Sequence, residues 1–394
     1  MNVYGAICEF NPFHNGHKYF LEQMRILGAT HIAVCMSGSF TQRGEPAVIG
    51  KYDRVRAALS NGADLVLELP VSFACAGAER FALGGVSILD SLGCVDTLSF
   101  GSESGDTAAL INTARLLYSQ DFSDSLRKHL SQGMTFASAR EQAVKELCGE
   151  SAAALLRDAN NILGIEYIKA LINTDSKVMP LAVKRRGSAH DSSIASGNIA
   201  SASFIREGIY SGADISPYVP ENTVGFLRSE SIPEINRMKS IEGALLYRLR
   251  TMSVDDLSAL PDISEGLHNR LYSAVRDSVS VEEILRKTKC KRYTMARIRR
   301  CLMYALLYMT KEGLPQKPSY IRVLGFNARG REILRAARDS SALPVIMKSS
   351  DAKKIGGAVL TDFEKECFCD DIYALTDKKI SVCGQNYTVN TVIL

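Results

Sequence analysis

An alternation through roughly the first 215 residues constrains this chain more than any other feature: short apolar segments, each followed by a stretch of helical periodicity. "NVYGAIC" (2–8), "HIAVCMSG" (31–38), "DLVLELP" (64–70) and "VDTLSFG" (95–101) read as buried strands. Between them, "HKYFLEQMRIL" sets Phe20, Leu21, Met24 and Leu27 on one side of a helix. "DRVRAALSNGA" is a helix that stops at Gly62, and "AERFALGGVSILDSLG" is another. Strands alternating with helices in this way predict an α/β fold built from parallel βαβ units with both faces covered. Ligands of such sheets sit at the carboxyl ends of the strands. The loops 9–17, 37–46 and 101–105 all follow strands and should gather on one rim.

Residues 106–172 are mostly helical in pattern, ending in "NNILGIEYIKALI"; "KVMPLAVKRRG" then reads as a further strand and "SASFIREGIYSG" as a helix capped at Ser201. Strand patterns vanish between about 221 and 312, which predicts a helical region. "GLPQKPSY" (313–320) has a linker's composition, and "YIRVLGF", "REILRAARDS" and "LPVIMK" return to β-α-β. The expected division is therefore 1–220, 221–312 and a small C-terminal α/β unit, 319–394.

At 46% hydrophobic and 23% charged residues the composition is that of a globular protein. No apolar run reaches the roughly 18–20 residues of a membrane span. Nor does a basic stretch followed by an apolar block mark a leader, so a cytoplasmic protein without a membrane partner is expected. The ten cysteines are scattered, and the one close pair, Cys367 and Cys369, lacks zinc spacing; no metal ligands are assigned. None has the context of a nucleophile, so no covalent acyl-enzyme is expected. A net charge of +4 is mild, and its distribution matters more.

"EFNPFHNGHKYF" (9–20) sets His14 and His17 around Asn15-Gly16 at the mouth of a helix. A helix N-terminus offers unsatisfied N–H groups and a partial positive charge, a ready phosphate site. Gly16 would let a phosphate approach the backbone and Asn15 would serve as N-cap. His14 and His17 would donate to phosphate oxygens, where donors count most as charge builds up at phosphorus.

"FNPFHNGH" resembles the HxGH signature of the nucleotidyltransferase superfamily, whose members attack the α-phosphate of ATP and release pyrophosphate. "MSGSFTQRGEPAVIGKYDRVRAAL", "DLVLELP", "FGSE", "NNILGIEYIKAL", "IASASFIRE", "KRYTMARIRR" and "YIRVLGF" extend the likeness over nearly the whole chain, to the tRNA(Met) cytidine acetate ligase family. That resemblance implies a Rossmann-like nucleotidyltransferase domain at the N-terminus. It also implies an ATP-dependent ligase that makes acetyl-adenylate and acetylates the 4-amino group of the wobble cytidine of elongator tRNA(Met). The substrates would be ATP and acetate, with Mg²⁺ bound through the phosphates. By the same resemblance His14, His17, Ser203 and Arg206 would be catalytic. ATP would be held by Ile7, Phe10, Asn11, Pro12, Phe13, His14, Asn15, Gly16, His17 and Phe20, together with Gly101, Asn161, Arg185 and Arg186.

Several of these residues admit a plain reading as well. Ser201 and Ser203 fit a phosphate-handling helix start or a simple cap. Gly101 fits a close approach to adenosine or an ordinary β-to-α turn. Of Asn160 and Asn161, one can cap while the other reads a ribose or adenine edge. Arg185 and Arg186 suit bidentate phosphate binding or a solvated pair. His190 and Asp191 read as a structural pair, and Arg43, Lys51 and Arg54 as facing either RNA or acetate.

From Arg286 to Arg300, "RKTKCKRYTMARIRR" holds eight Lys or Arg in fifteen positions and no acid. Solvated helix faces usually mix signs, so a polyanion is the expected neighbour. As one helix, the run would present Lys289, Lys291, Arg292, Arg297, Arg299 and Arg300 to tRNA, with Tyr293 free to stack on a base and Ile298 and Leu302 docking the helix. Two other functions fit parts of the pattern: an adenylyltransferase acting on a small phosphate ester, and a nucleotide-sensing RNA-binding protein without catalysis. The first leaves the helical region unexplained, and the second needs fewer donors than His14, His17 and "SASFIR" supply.

Overall fold

The computed structural model describes residues 1–186, 197–227, 232 and 237–394; His190 and Asp191 lie outside the described residues. Five strands, β1 (Val3–Cys8), β2 (His31–Ser37), β3 (Leu65–Leu69), β4 (Thr97–Ser102) and β5 (Met179–Lys184), form the parallel part of one sheet. Three later strands, β6 (Ile321–Phe326), β7 (Val345–Ile346) and β8 (Val392–Ile393), complete it. The order is β5-β4-β1-β2-β3-β6-β7, with β8 also paired to β6. The chain crosses over after β3, so the loops following β1 and β2 open at the centre of the rim.

Alternation along the strands explains the two layers. Val3, Ile7, Ala33, Cys35, Leu65 and Leu67 face one core, which the helices Ala78–Ser91 and Ala159–Asn173 cover. Tyr4, Ala6, Ile32, Val34, Met36 and Val66 face the other, against Leu21 and Met24 of the helix Asn15–Ile26 and Val55 and Ala58 of the helix Lys51–Ser60. Each Val, Leu, Ile or Met among these, fully buried, contributes about 1.5–3 kcal/mol.

Among the described residues from 221 to 312 every regular element is a helix, and residues 313–320 carry neither helix nor strand. The C-terminal β-α-β unit is present, but it is stitched to the main sheet. β6 lies antiparallel on β3, with Leu65 opposite Phe326 and Val66 opposite Gly325. The helix Gly357–Ala374 packs back on the loop after β2, where the Tyr373 hydroxyl donates to the Ala47 carbonyl at 2.8 Å.

Candidate active site

β1 delivers Glu9–Phe13 to the rim, and Phe10 and Phe13, both fully buried, pack with ring centroids 4.8 Å apart. His17 stands edge-on to Phe10 at 4.9 Å. The N-cap of the helix Asn15–Ile26 is His14, and not Asn15 as its residue type suggested. His14 Nδ1 accepts the Gly16 N–H at 3.0 Å, and His17 Nδ1 accepts the His14 N–H at 3.3 Å. Two histidines thus form the capping box. Asn15 instead donates to the Asn198 and Pro217 carbonyls at 2.8 and 3.0 Å, tying the helix mouth to a segment far along the chain.

The two imidazoles stack, with centroids 3.7 Å apart and planes at 27°. Because each Nδ1 accepts, each neutral ring carries its proton on Nε2. Burial pulls the His14 pKa down to about 3, helped by the Arg185 and Arg206 charges. Burial likewise holds His17 well below the ordinary histidine range, with His14 and then Arg185 adding to it. At neutral pH both rings are fixed, uncharged N–H donors. Gly16 has a steric reason besides ligand approach: a Cβ there would meet His14 Cε1 at 2.8 Å.

Arg206, one turn into the helix Ala202–Ser211, ties its own helix to the histidine loop. It donates to the Asn11 carbonyl at 2.8 Å and to Ser203 Oγ at 3.1 Å. Arg43 also donates to Ser203 Oγ, at 3.3 Å. Ser201 is the cap, its Oγ accepting the Phe204 N–H at 3.1 Å. Arg43 therefore belongs to the cluster of Ser203 and Arg206 beside the histidine loop. Lys51 and Arg54 are buried side chains turned into the fold. Lys51 is buried between Glu68 and Asp370, 2.5 Å from each. Arg54 is fully buried and donates to the carbonyls of Glu9 (2.8 Å), Ser37 (2.9 Å), Gly38 and Ile49 (3.1 Å).

Sequence reasoning overlooked Glu9. Its Oε1 accepts the Gln42 N–H at 2.7 Å, and burial raises its pKa against that N–H and the charges of Arg206, Arg43 and Arg54. An acid directly after a buried strand and directly before the histidine loop was the available signal. The Cys8 thiol beside it is held well above its ordinary range by burial, so it remains protonated.

Across the sheet, Gly101 lies within β4, where a Cβ would touch Arg185 at an ordinary 3.4 Å. Asn161 is turned into the fold: its Oδ1 accepts from Ser102 Oγ at 2.7 Å and from the Ser104 N–H at 3.2 Å. Glu103, not an asparagine side chain, caps this helix, accepting the Asn160 and Asn161 N–H groups at 3.3 and 2.9 Å. Asn160 is the one that meets Arg185, at 3.5 Å. The Arg185 charge reaches both histidines, whereas Arg186 lies over the Tyr19 ring at 4.9 Å. Ile7, Pro12 and Phe20 flank the same loop in sequence, and Ile7 and Pro12 are buried.

The HIGH Nucleotidyl Transferase family matches residues 1–387. A tRNA(Met) cytidine acetate ligase of Thermoanaerobacter sp. (strain X514) is 40% identical over 98% of both chains. The chain belongs to the tRNA(Met) cytidine acetate ligase family. A family member from Acetivibrio thermocellus is 36% identical over the full length of both. The crystal structure of Thermotoga maritima TmcAL without ligand covers all of both chains at 32% identity, with a TM-score of 0.95. The same protein bound with alpha-thio ATP gives 0.92 at 31% identity, again over both whole chains.

In this member of the ligase family the basic run is not one helix. Val281–Thr288 and Met295–Leu306 are separate helices, and Lys289 to Thr294 link them outside helical geometry. Tyr293 is buried, its hydroxyl donating to the Glu265 carbonyl at 2.5 Å, so it offers no stacking platform. Three of the arginines bind acids that the run itself lacks. Arg297 reaches the Asp262 carbonyl at 2.8 Å and Glu265 at 3.6 Å, Arg300 meets Asp262 at 2.6 Å, and Arg299 meets Glu45 at 2.6 Å. Lys291 and Arg292 are exposed, as is Lys289, whose ammonium donates to the Tyr293 carbonyl at 3.2 Å. Arg297 therefore braces the helical region internally, while Arg299 and Arg300, the latter also donating to the Gln42 carbonyl at 3.2 Å, dock that region on the loop that carries Arg43. Gly44, in that loop, has φ +73°, and a Cβ there would lie 2.3 Å from the Arg300 nitrogen.

Among the described residues no helix is long and apolar enough to cross a membrane.

Proposed function

We propose that this chain is an ATP-dependent acetate–tRNA ligase that forms acetyl-adenylate and acetylates the 4-amino group of the wobble cytidine of elongator tRNA(Met). The observation that carries the chemistry is the stacked His14–His17 pair, whose tautomers the helix cap sets. A carboxylate oxygen of acetate attacks the α-phosphorus of ATP, the bond to the bridging oxygen breaks, and pyrophosphate leaves. Negative charge rises on the phosphate oxygens in that displacement. Preorganised N–H donors of His14 and His17, with the Arg206 and Arg185 guanidiniums, stabilise it without reorganising. In the second half, the cytidine 4-amino nitrogen attacks the acetyl carbon, AMP departs and the nitrogen loses a proton. A buried, protonated Cys8 supports a mixed anhydride and not a thioester as the intermediate.

Imidazoles, guanidiniums and hydroxyls fit phosphate oxygens and do not fit a hard cation. Mg²⁺ would therefore be held by the ATP phosphates, where it neutralises charge, and no step here is assigned to it. For the tRNA, the cations left outward are Lys289, Lys291 and Arg292; Arg297, Arg299 and Arg300 hold the fold.

The test is acetate-dependent formation of AMP and pyrophosphate, with transfer to tRNA(Met), in wild type and in His14→Asn and His17→Asn. Losing one such donor costs about a hundredfold or more in rate. Release of ADP and phosphate, or near wild-type transfer by both variants with folds intact, would overturn the assignment.

A further inference from the structure

Acetyl transfer needs a proton acceptor, because the cytidine 4-amino nitrogen must shed a hydrogen as it becomes an amide. The histidines cannot serve. Each Nδ1 already accepts a backbone N–H, so each Nε2 carries the hydrogen. Arg43, Arg185 and Arg206 are cations with no acceptor to offer. The loops after β1, β2 and β4 carry four acids, Glu9, Glu45, Glu103 and Asp106. Three of them are committed. Glu45 meets Arg299 at 2.6 Å. Glu103 takes the Asn160 N–H and side-chain amide on one oxygen and the Asn161 N–H on the other. Asp106 caps the helix Thr107–Leu116 through the Ala109 N–H at 3.0 Å. Glu9 is different. It is half-buried, its Oε1 holds the Gln42 N–H at 2.7 Å, and among the described residues its Oε2 accepts no hydrogen bond and is not sealed in.

We propose that the Glu9 carboxylate is the general base of acetyl transfer, taking the proton from the 4-amino nitrogen of the tRNA cytidine onto Oε2. This rests on the ligase reading and assigns a residue to its second step. The nitrogen lone pair forms the bond to the acetyl carbon. The bond from that carbon to the phosphate oxygen breaks, and AMP leaves with the electron pair. The N–H proton passes to Glu9, which returns it to water. Position supports the role. The residues given to ATP by resemblance across the sheet, Gly101, Asn161 and Arg185, belong to β4, the helix Ala159–Asn173 and the end of β5. Glu9 turns the other way, to the loop after β2. The helical region docks on that same loop, where the Gln42 carbonyl accepts from Arg300 at 3.2 Å. An acceptor carried by that region reaches the histidines from the Glu9 side. Burial raises the Glu9 pKa, which strengthens the base, against the Gln42 N–H and the charges of Arg206, Arg43 and Arg54. The other titratable groups in its field, Cys8, Tyr167 and Cys75, stay neutral because burial raises each of them.

Full-length wild type, Glu9→Gln and Glu9→Asp would be compared in acetate-dependent pyrophosphate exchange and in single-turnover acetyl transfer to tRNA(Met), from about pH 5 to 8. Glu9→Gln keeps an oxygen for the Gln42 N–H and loses the base. Its transfer should fall by about 10²–10⁴-fold, the worth of a positioned base, and its exchange by far less. Wild-type transfer should rise with pH through one ionisation. That limb should vanish in Glu9→Gln and survive, with a lower plateau, in Glu9→Asp. Equal losses in the two half-reactions would reduce Glu9 to a prop for the Gln42 loop and overturn the proposal. So would wild-type transfer by Glu9→Gln, or a pH limb that it retains. If Glu9→Gln does not fold, Glu9→Asp decides, and a limb and plateau identical to wild type overturn the proposal. Absence of acetate-dependent exchange in wild type refutes the ligase reading itself, and the role of Glu9 falls with it.

Discussion

Removing the Arg54 guanidinium tests whether the active-site rim is held by one buried cation. Arg54 gathers carbonyls from Glu9, Ser37, Gly38 and Ile49, so the loops after β1 and β2 converge on it. Its burial is complete, and that burial pulls its pKa down from the ordinary arginine value, against opposing charges led by Tyr373 and Glu9. Arg54→Met keeps much of the side-chain volume but leaves four carbonyl oxygens without donors. A stranded buried acceptor costs about 1–3 kcal/mol, and relaxation recovers part of the sum. The expected loss is about 3–5 kcal/mol, the range for breaking a buried charge network. Arg54→Lys should recover less than half of that, because an ammonium cannot fork to four acceptors.

Two readouts separate this clamp from general damage. Urea unfolding gives the stability change, provided the slope is unaltered. Native-state hydrogen exchange then follows the Gln42 and Val48 amides, which donate to Glu9 Oε1 and Asn11 Oδ1 at 2.7 Å each. Both should lose protection in Arg54→Met well before the amides of β4. A variant that unfolds at the wild-type midpoint with both amides protected would refute the clamp.

Other perturbations give distinct outcomes. With His14 titrating at about 3 in the fold and near 6.5 when unfolded, only the unfolded chain takes up that proton as pH falls from 6.5 to 3. That proton alone should lower stability by about 1.4 kcal/mol per pH unit in that window, beside the drop that His17 adds. His14→Asn, which keeps a cap, should therefore make the limb shallower without abolishing it in urea midpoints measured at pH 7, 6 and 5. Gly44→Ala combines a left-handed φ with a clash against the Arg300 backbone; it should cost more than the ~1–3 kcal/mol of the strained φ alone and lower both stability and acetyl transfer, read by melting and single-turnover assays. Reversing Lys291 and Arg292 to Glu should weaken tRNA binding and cut its salt slope by about one unit per lost phosphate contact, leaving acetate-dependent pyrophosphate exchange unchanged.

What the sequence displayed and what it hid divide along local and non-local physics. The strand–loop–helix at His14 to His17 was legible because one β1–α connection makes it. The residue that caps that helix was not, since backbone angles at position 14 chose His14 over the better-ranked Asn15. Arg54 lies three residues beyond Lys51, and both read as cations facing RNA or acetate while their acceptors are unknown. Those acceptors come from residues 9, 37, 38, 49, 68 and 370, so burial of both charges is a property of the assembled rim. The run 286–300 misleads in the same way. It contains no acid, yet Glu45, Asp262 and Glu265 reach it through space.

That same pairing gives the loop between β2 and the helix Lys51–Ser60 two anchors with different chemistry. On one side Arg43 meets Ser203, and the Gln42 N–H meets Glu9, within the cluster around the histidines. On the other, Glu45 holds Arg299, the Gln42 carbonyl accepts from Arg300 at 3.2 Å, and Gly44 abuts their backbone. A charge on a surface helix would act on the reaction only through long-range fields, which salt screens within about 10 Å. Contacts of 2.6 to 3.3 Å through one short loop are not screened in that way. Substitutions at Glu45 or Arg299 should thus alter the adenylate-forming step even without RNA, whereas Lys291 and Arg292, which touch no part of this loop, should alter only the step that needs it. Separating those two effects in one assay with acetate and ATP alone distinguishes a helix that props the active site from one that merely holds tRNA.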